Sequence, residues 1–163
     1  MTSTRLLALR ELMTLIRLEV DRGVEYPERV LVTEHDPGDA MRQESIYVVD
    51  VDGDVDSPYL AGGTDQATED EFAVAVVCRV SIPGGKGSKV LDRVDELYRA
   101  VRRVVLDVEY GSTLDELADD DGLGVISDTR LGSTTGPLAG PTDDGFLGLY
   151  KLDVLVTTDE VTA

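Results

Sequence analysis

Residues 50–56 read DVDGDVD, an aspartate at every second position around a single glycine. Carboxylates so spaced suit three tasks: holding a hard cation, acid–base chemistry, or standing in water at the tip of a hairpin. A calcium loop of the EF-hand kind needs oxygen ligands at positions 1, 3 and 5, glycine at 6 and glutamate at 12. Counted from Asp50, those last two positions are Val55 and Ala61; counted from Asp52 they are Ser57 and Gly63. Both registers fail. A hairpin fits better, because Asp52-Gly53 suits a turn of positive φ. That reading sets Val51 opposite Val55 and Asp50 opposite Asp56, with the like charges projecting into water or awaiting a cation or a basic partner.

The remaining reactive residues are few. His35 is the one histidine and Cys78 the one cysteine. With Asp36 they form a conceivable nucleophile and base set, the basis of a hydrolase alternative. Cys78 nevertheless falls on the apolar face of a strand, where a thiol acts as a small hydrophobe. One histidine and one cysteine do not build a structural zinc site. Residues 83–89, PGGKGSK, stand between a strand and a helix, as a phosphate loop does. That motif, however, needs glycine where Val80 stands and a hydroxyl where Gly87 stands. Asp119-Asp120-Asp121 reads as a solvated turn. No catalytic residue, cofactor or metal site is expected.

The elements that position these residues are legible as periodicity. Leu6, Leu9, Met13, Ile16 and Val20 recur at helical spacing over residues 4–22, with Arg10, Arg17 and Glu19 elsewhere on the cylinder. Thr2 or Ser3 is placed to cap the start, and Gly23 suits a left-handed stop. Residues 30–32 and 45–51 read as strands, the first ended by the turn cluster HDPGD. The strongest strand is 72–82: Phe72, Val74, Val76, Cys78, Val80 and Ile82 share one face, and Ala73, Ala75, Val77, Arg79 and Ser81 the other. The two alanines leave room for close packing on that second face. A helix over 89–106, capped by Ser88, carries a stripe of Val90, Val94, Leu97, Val101 and Val104, with Arg93, Arg99, Arg102 and Arg103 mainly away from it. Residues 114–117 suit a helical turn, 125–131 and 146–158 suit strands, and GSTTGPLAGPTDDG suits a loop. The expected fold is α+β: a four- to five-stranded, mostly antiparallel sheet flanked by two amphipathic helices, in the order α-β-β-β-α-β-β. One domain spans 1–163, with an acidic loop at 52–71 and a Gly/Pro loop at 132–145. Two helices cover one side of such a sheet; the other side faces solvent or a partner chain.

Composition narrows the function further. The net charge is −18, from 33 acids and 15 bases. Eleven acids and one base, Arg42, lie between Glu34 and Asp70. So acidic a surface repels phosphate and anionic membranes. It suits either solubility or an electronegative wall facing a channel or a basic partner. A single cysteine allows no internal disulfide. The start does not read as a signal peptide, and no apolar run is long enough to span a membrane. A soluble, cytoplasmic chain is expected.

The succession of a first helix, a strand, the turn Asp36-Pro37-Gly38-Asp39, the strand ESIYVVDVDG and an acidic stretch is distinctive as a whole. It continues through EFAVAVVCRV, a glycine-rich break, VLDRVDELYRAVRRVV, a Gly136-Pro137 and Gly140-Pro141 segment, and GLYKLDVLVTT. This order resembles the tail terminator proteins of long-tailed phages, especially those of actinobacterial phages. The resemblance implies a structural virion protein, not an enzyme, assembled in the host cytoplasm. It implies a homo-oligomeric, hexameric ring that caps the tail tube, ends its polymerisation and presents a surface to the head. Its partners are then itself, the tail tube protein and a head-completion or neck protein, while DNA passes through the lumen without specific binding. On this reading Asp50, Asp52, Asp54, Asp56, Asp65, Gly136, Pro137, Asp143 and Asp144 are candidate interface or lumen residues. Another head–tail connector and an acidic cation-binding module are the alternatives.

Overall fold

The computed structural model describes residues 3–53, 57–60, 66–106 and 126–162. The chain runs α1 (Thr4–Gly23), β1 (Val30–Thr33), β2 (Glu44–Asp52), β3 (Ser57–Leu60), β4 (Gln66–Pro83), α2 (Gly87–Leu106), β5 (Ile126–Pro141) and β6 (Gly145–Thr162), with single 3₁₀ turns at Pro27–Arg29 and Gly38–Ala40. The strand order is β1-β2-β4-β6-β5, with β3 paired to the start of β4. Only β1 and β2 run parallel; β2–β4, β3–β4, β4–β6 and β5–β6 are antiparallel. The α+β class and the two flanking helices are as expected, with the short β3 added.

Both helices pack on one face of the sheet. Phe72, Val74, Val76, Cys78 and Val80 of β4 join Leu152, Val154 and Val156 of β6 in a core with Ala8, Leu12, Ile16 and Val20 of α1 and Val90, Val94, Leu97 and Val101 of α2. The period-2 pattern of β4 and the 3.6 pattern of α2 therefore mean what they suggest. The α1 stripe is rotated from the expected one. Leu6 and Leu9 are half-buried, whereas Ala8, Glu11, Leu12, Leu15 and Glu19 turn inward. Placing Glu19 on the outer side of the cylinder is thus incorrect: its buried carboxylate accepts from Arg103 at 2.7 Å and from Arg22 at 2.9 Å. Glu11, also buried, accepts from the Ile126 backbone N–H at 3.3 Å and so ties α1 to the start of β5.

Several local expectations are corrected. Ser3 does cap α1, its hydroxyl accepting from Leu6 N, but Gly23 is the last helical residue and the cap, Val24, is extended. No left-handed stop is used. Ser88 lies inside α2, which starts at Gly87, and Lys86 C=O accepts the first helical bonds from Lys89 and Val90. Positive φ falls instead at Gly84, in the β4–α2 turn.

The acidic stretch 52–71 is not one loop, because Ser57–Leu60 and Gln66–Glu69 pair as strands. Nor is 132–145 a loop. β5 continues to Pro141 against β6, with register shifts at 131–134 and 135–138 absorbing the Gly/Pro residues. Gly136, at φ +121°, sits where a Cβ would meet Leu149 O at 2.9 Å, so glycine permits the close approach of these two strands. The turn itself is only residues 142–144, closed by Thr142 N–H to Gly145 C=O at 2.8 Å. The expected helical turn at 114–117 and the triplet Asp119–Asp121 lie outside the described residues.

Tyr98 of α2 stacks on Tyr150 of β6, centroids 3.8 Å apart and rings parallel. At the other end Arg93 forks onto Glu44 of β2, Nε–Oε1 2.9 Å and Nη2–Oε2 2.8 Å, and reaches Glu96 at 3.1 Å. Burial alone would lower the Arg93 pKa; the hydrogen bonds and charges of Glu44 and Glu96 outweigh it, and the net shift is upward.

Candidate assembly surface

Among the described residues, no helix lies on the second face of the sheet. Along β4 it presents Ala73, Ala75, Val77, Arg79 and Ser81. Their neighbours on β6 are Leu155, Asp153, Lys151, Leu149 and Leu147, and those of Ala73, Ala75, Val77 and Arg79 on β2 are Asp52, Asp50, Tyr47 and Ser45. Tyr47, Ala75 and Val77 are buried yet stand apart from the main core. They form a second apolar strip. Burial raises the Tyr47 hydroxyl pKa, the Asp36 charge adds to this, and Arg79 acts in the opposite sense.

A bulge decides which way the aspartates point. Ile46 and Val48 of β2 face the core opposite Cys78 and Val76; the register then slips between Val48 and Asp50. Val49 takes up the extra position and is 45% exposed. After the slip Asp50 pairs with Ala75, Val51 with Val74 and Asp52 with Ala73. Strict alternation from Ile46 would have driven Asp50 into the core; the bulge returns Val51 inward and both carboxylates outward. Asp50 to Asp52 belong to a strand paired with β4, and the expected pairing of Asp50 with Asp56 lies outside the described residues. Asp54, Asp56 and Asp65 lie outside the described residues.

Asp153 of β6 completes the acidic side of this face. It lies across Ala75 from Asp50, two strands away and so roughly 10 Å. The alanines make a low floor between carboxylate walls. Glu71, Asp128 and Arg130 border it, with Arg130 reaching Glu71 at 2.7 Å and Asp128 at 3.8 Å. Asp153 belongs to the alternating pattern of the last strand, and that period is the signal from which its outward side could have been read.

The other expected site residues do not join this group. Asp143 and Asp144 are exposed at the β5–β6 turn beside Gly145, which pairs with Pro83. That is eight residues along β4 from Ala75, roughly 27 Å. Gly136 and Pro137 lie within β5, near Leu149 and Tyr150. Cys78 is wholly buried, and burial pushes its thiol pKa far up, which favours the protonated, unreactive form. His35 is exposed, its Nδ1 3.1 Å from Asp36 O. Among the described residues no group of three potential metal ligands is gathered, and no helix is long and apolar enough to cross a membrane.

A shallow groove between α1 and β1 is lined by Arg10, Met13, Thr14, Arg17, Leu18 and Val32. Arg17 fills part of it, donating to Val30 O at 2.6 Å and Pro27 O at 3.0 Å. No family profile matches the chain, and no curated protein is significantly similar to it.

Proposed function

We propose that the protein is a structural ring component of a long-tailed phage, a tail terminator that caps the tail tube, stops its growth and offers the surface on which the filled head docks. The single observation that carries this reading is the one-sided layering: both helices among the described residues pack on the same face of the sheet. The other keeps an apolar strip, Tyr47-Ala75-Val77, edged by Asp50, Asp52 and Asp153. A sheet with one helical layer and a partly apolar open face is suited to burial against other subunits. The net charge of −18 suits a pore wall along which DNA slides without adhering. In this role the chain acts by shape and surface and carries out no bond chemistry.

The test is electron microscopy of tail tubes from the phage that encodes the protein, assembled with and without it. Capped tubes of uniform length are expected. Uncapped tubes of continuing growth, with the protein bound to filled heads instead, would move it to the head-completion layer. Binding to neither would refute the assignment.

A further inference from the structure

The helices differ in charge from the rest of the chain. The two helices together carry nine bases and six acids, net +3, in a protein of −18, so the rest of the chain holds −21. The helical bases gather where α1 and α2 end. Glu19 bridges Arg22 and Arg103, and Arg99 and Arg102 project from the same end of α2, with Leu106 half-exposed beyond them. Arg99 is paired with Asp95 at 3.1 Å. Arg22 and Arg103 thus share Glu19, and Arg99 and Arg102 lie within one turn of Arg103 on the same helix. On the second face of the sheet, Asp50, Asp52 and Asp153 flank Ala73 and Ala75, with Lys151 and Arg79 further along the strands and Arg130 paired to Glu71.

Like faces of two copies would set carboxylate against carboxylate, or arginine against arginine, both unfavourable. Opposite faces complement each other, and a contact between two different surfaces of one chain is the heterologous kind, which propagates into a ring when its rotation closes. Building on the ring reading, we propose that the open sheet face of one subunit receives the arginine-bearing ends of α1 and α2 of the next copy, with Arg99 and Arg102 set over Ala73 and Ala75 between Asp50, Asp52 and Asp153. The short alanine side chains let a flat guanidinium approach between the carboxylates.

Cysteine cross-linking on tail tubes tests this contact. Asp52→Cys and Arg102→Cys alter two exposed side chains, and native Cys78 is too deeply buried to compete. Under mild oxidation the double variant is expected to yield a ladder of covalent oligomers, and an equimolar mixture of the two single variants only dimers. Full dimerisation of Asp52→Cys alone would show like faces meeting and would overturn the proposal, as would a double variant that gives no ladder. The unaltered protein is scored for tube capping in parallel: capping without the ladder rejects this contact and leaves the ring intact, whereas loss of both rejects the ring. Charge exchange gives a second readout. Arg102→Glu is expected to weaken association by on the order of tenfold, and adding Asp52→Arg to restore it; no recovery counts against the pairing.

Discussion

Gly148 offers the sharpest quantitative test of how the helical layer is seated. It is buried on the core face of β6, and a Cβ placed there would run into Val90 Cγ1 of α2, with Val90 O at 3.3 Å and Val94 Cγ1 at 3.4 Å. Gly148→Ala therefore forces the first turn of α2 away from the sheet. Overpacking of this sort costs about 1–3 kcal/mol, against which the lower backbone entropy of alanine in the unfolded chain returns about 0.4–1 kcal/mol. A net loss of about 1–2 kcal/mol corresponds to a fall in Tm of about 2–8 °C for a chain of this size. Thermal melting followed by circular dichroism measures it. The cause is isolated by Val90→Ala, which removes the obstructing methyl. Alone it costs about 1–3 kcal/mol as a cavity; in the Gly148→Ala background it should cost at least 1 kcal/mol less. A Gly148→Ala variant as stable as the parent, or two substitutions that simply add, would refute the packing argument.

Other expectations follow from particular contacts. Arg93→Ala leaves the half-buried Glu44 without its forked partner and should cost about 1.5–3 kcal/mol in urea unfolding. Gly136→Ala forces a side chain into a positive φ against Leu149 O, and a loss of about 1–3 kcal/mol is expected in the same assay. Native Cys78 should resist a thiol reagent until the protein unfolds, and Cys78→Ala should keep tube capping while losing about 1 kcal/mol of stability to the vacated space; loss of capping in a folded variant would revive the hydrolase alternative. Tyr47, Tyr150 and Cys78 have pKa values raised by burial above the ordinary 10.0 and 9.0. The folded state thus holds these protons more tightly than the unfolded chain. Their contribution is complete below about pH 9 and is lost as pH rises through the folded values. Stability measured from pH 7 to 11 should be flat at first and then fall.

Much of the framework was legible as periodicity. The alternation of Phe72 to Ile82 named both faces of β4 correctly, and the stripe from Val90 to Val104 named the buried face of α2. In both cases a local repeat coincides with one buried side, which is all a repeat can report. The repeat was ambiguous in α1, where nearly every turn offers a leucine. There Glu19 was placed away from the apolar stripe, although Arg22, one turn away, and Arg103, remote in sequence, meet it inside.

The segment 132–145 shows the opposite failure. Glycine and proline signal loops because they weaken strands, but the 18-residue β6 supplies a partner along its whole length, and bulges take up the irregular positions. The open face lay between these cases: the need for one uncovered side followed from two helices and one sheet. Which residues edge it did not. DVDGDVD by itself suggested a turn; its first part became a strand because β4 offered a longer partner, and the slip at Val49 turned Asp50 and Asp52 outward. Sequence alone thus determined the net charge and the helix and strand repeats, since both are read residue by residue along the chain. Pairing partner, register and the meeting of distant charges depend on which strands come side by side, and only the folded chain decides that.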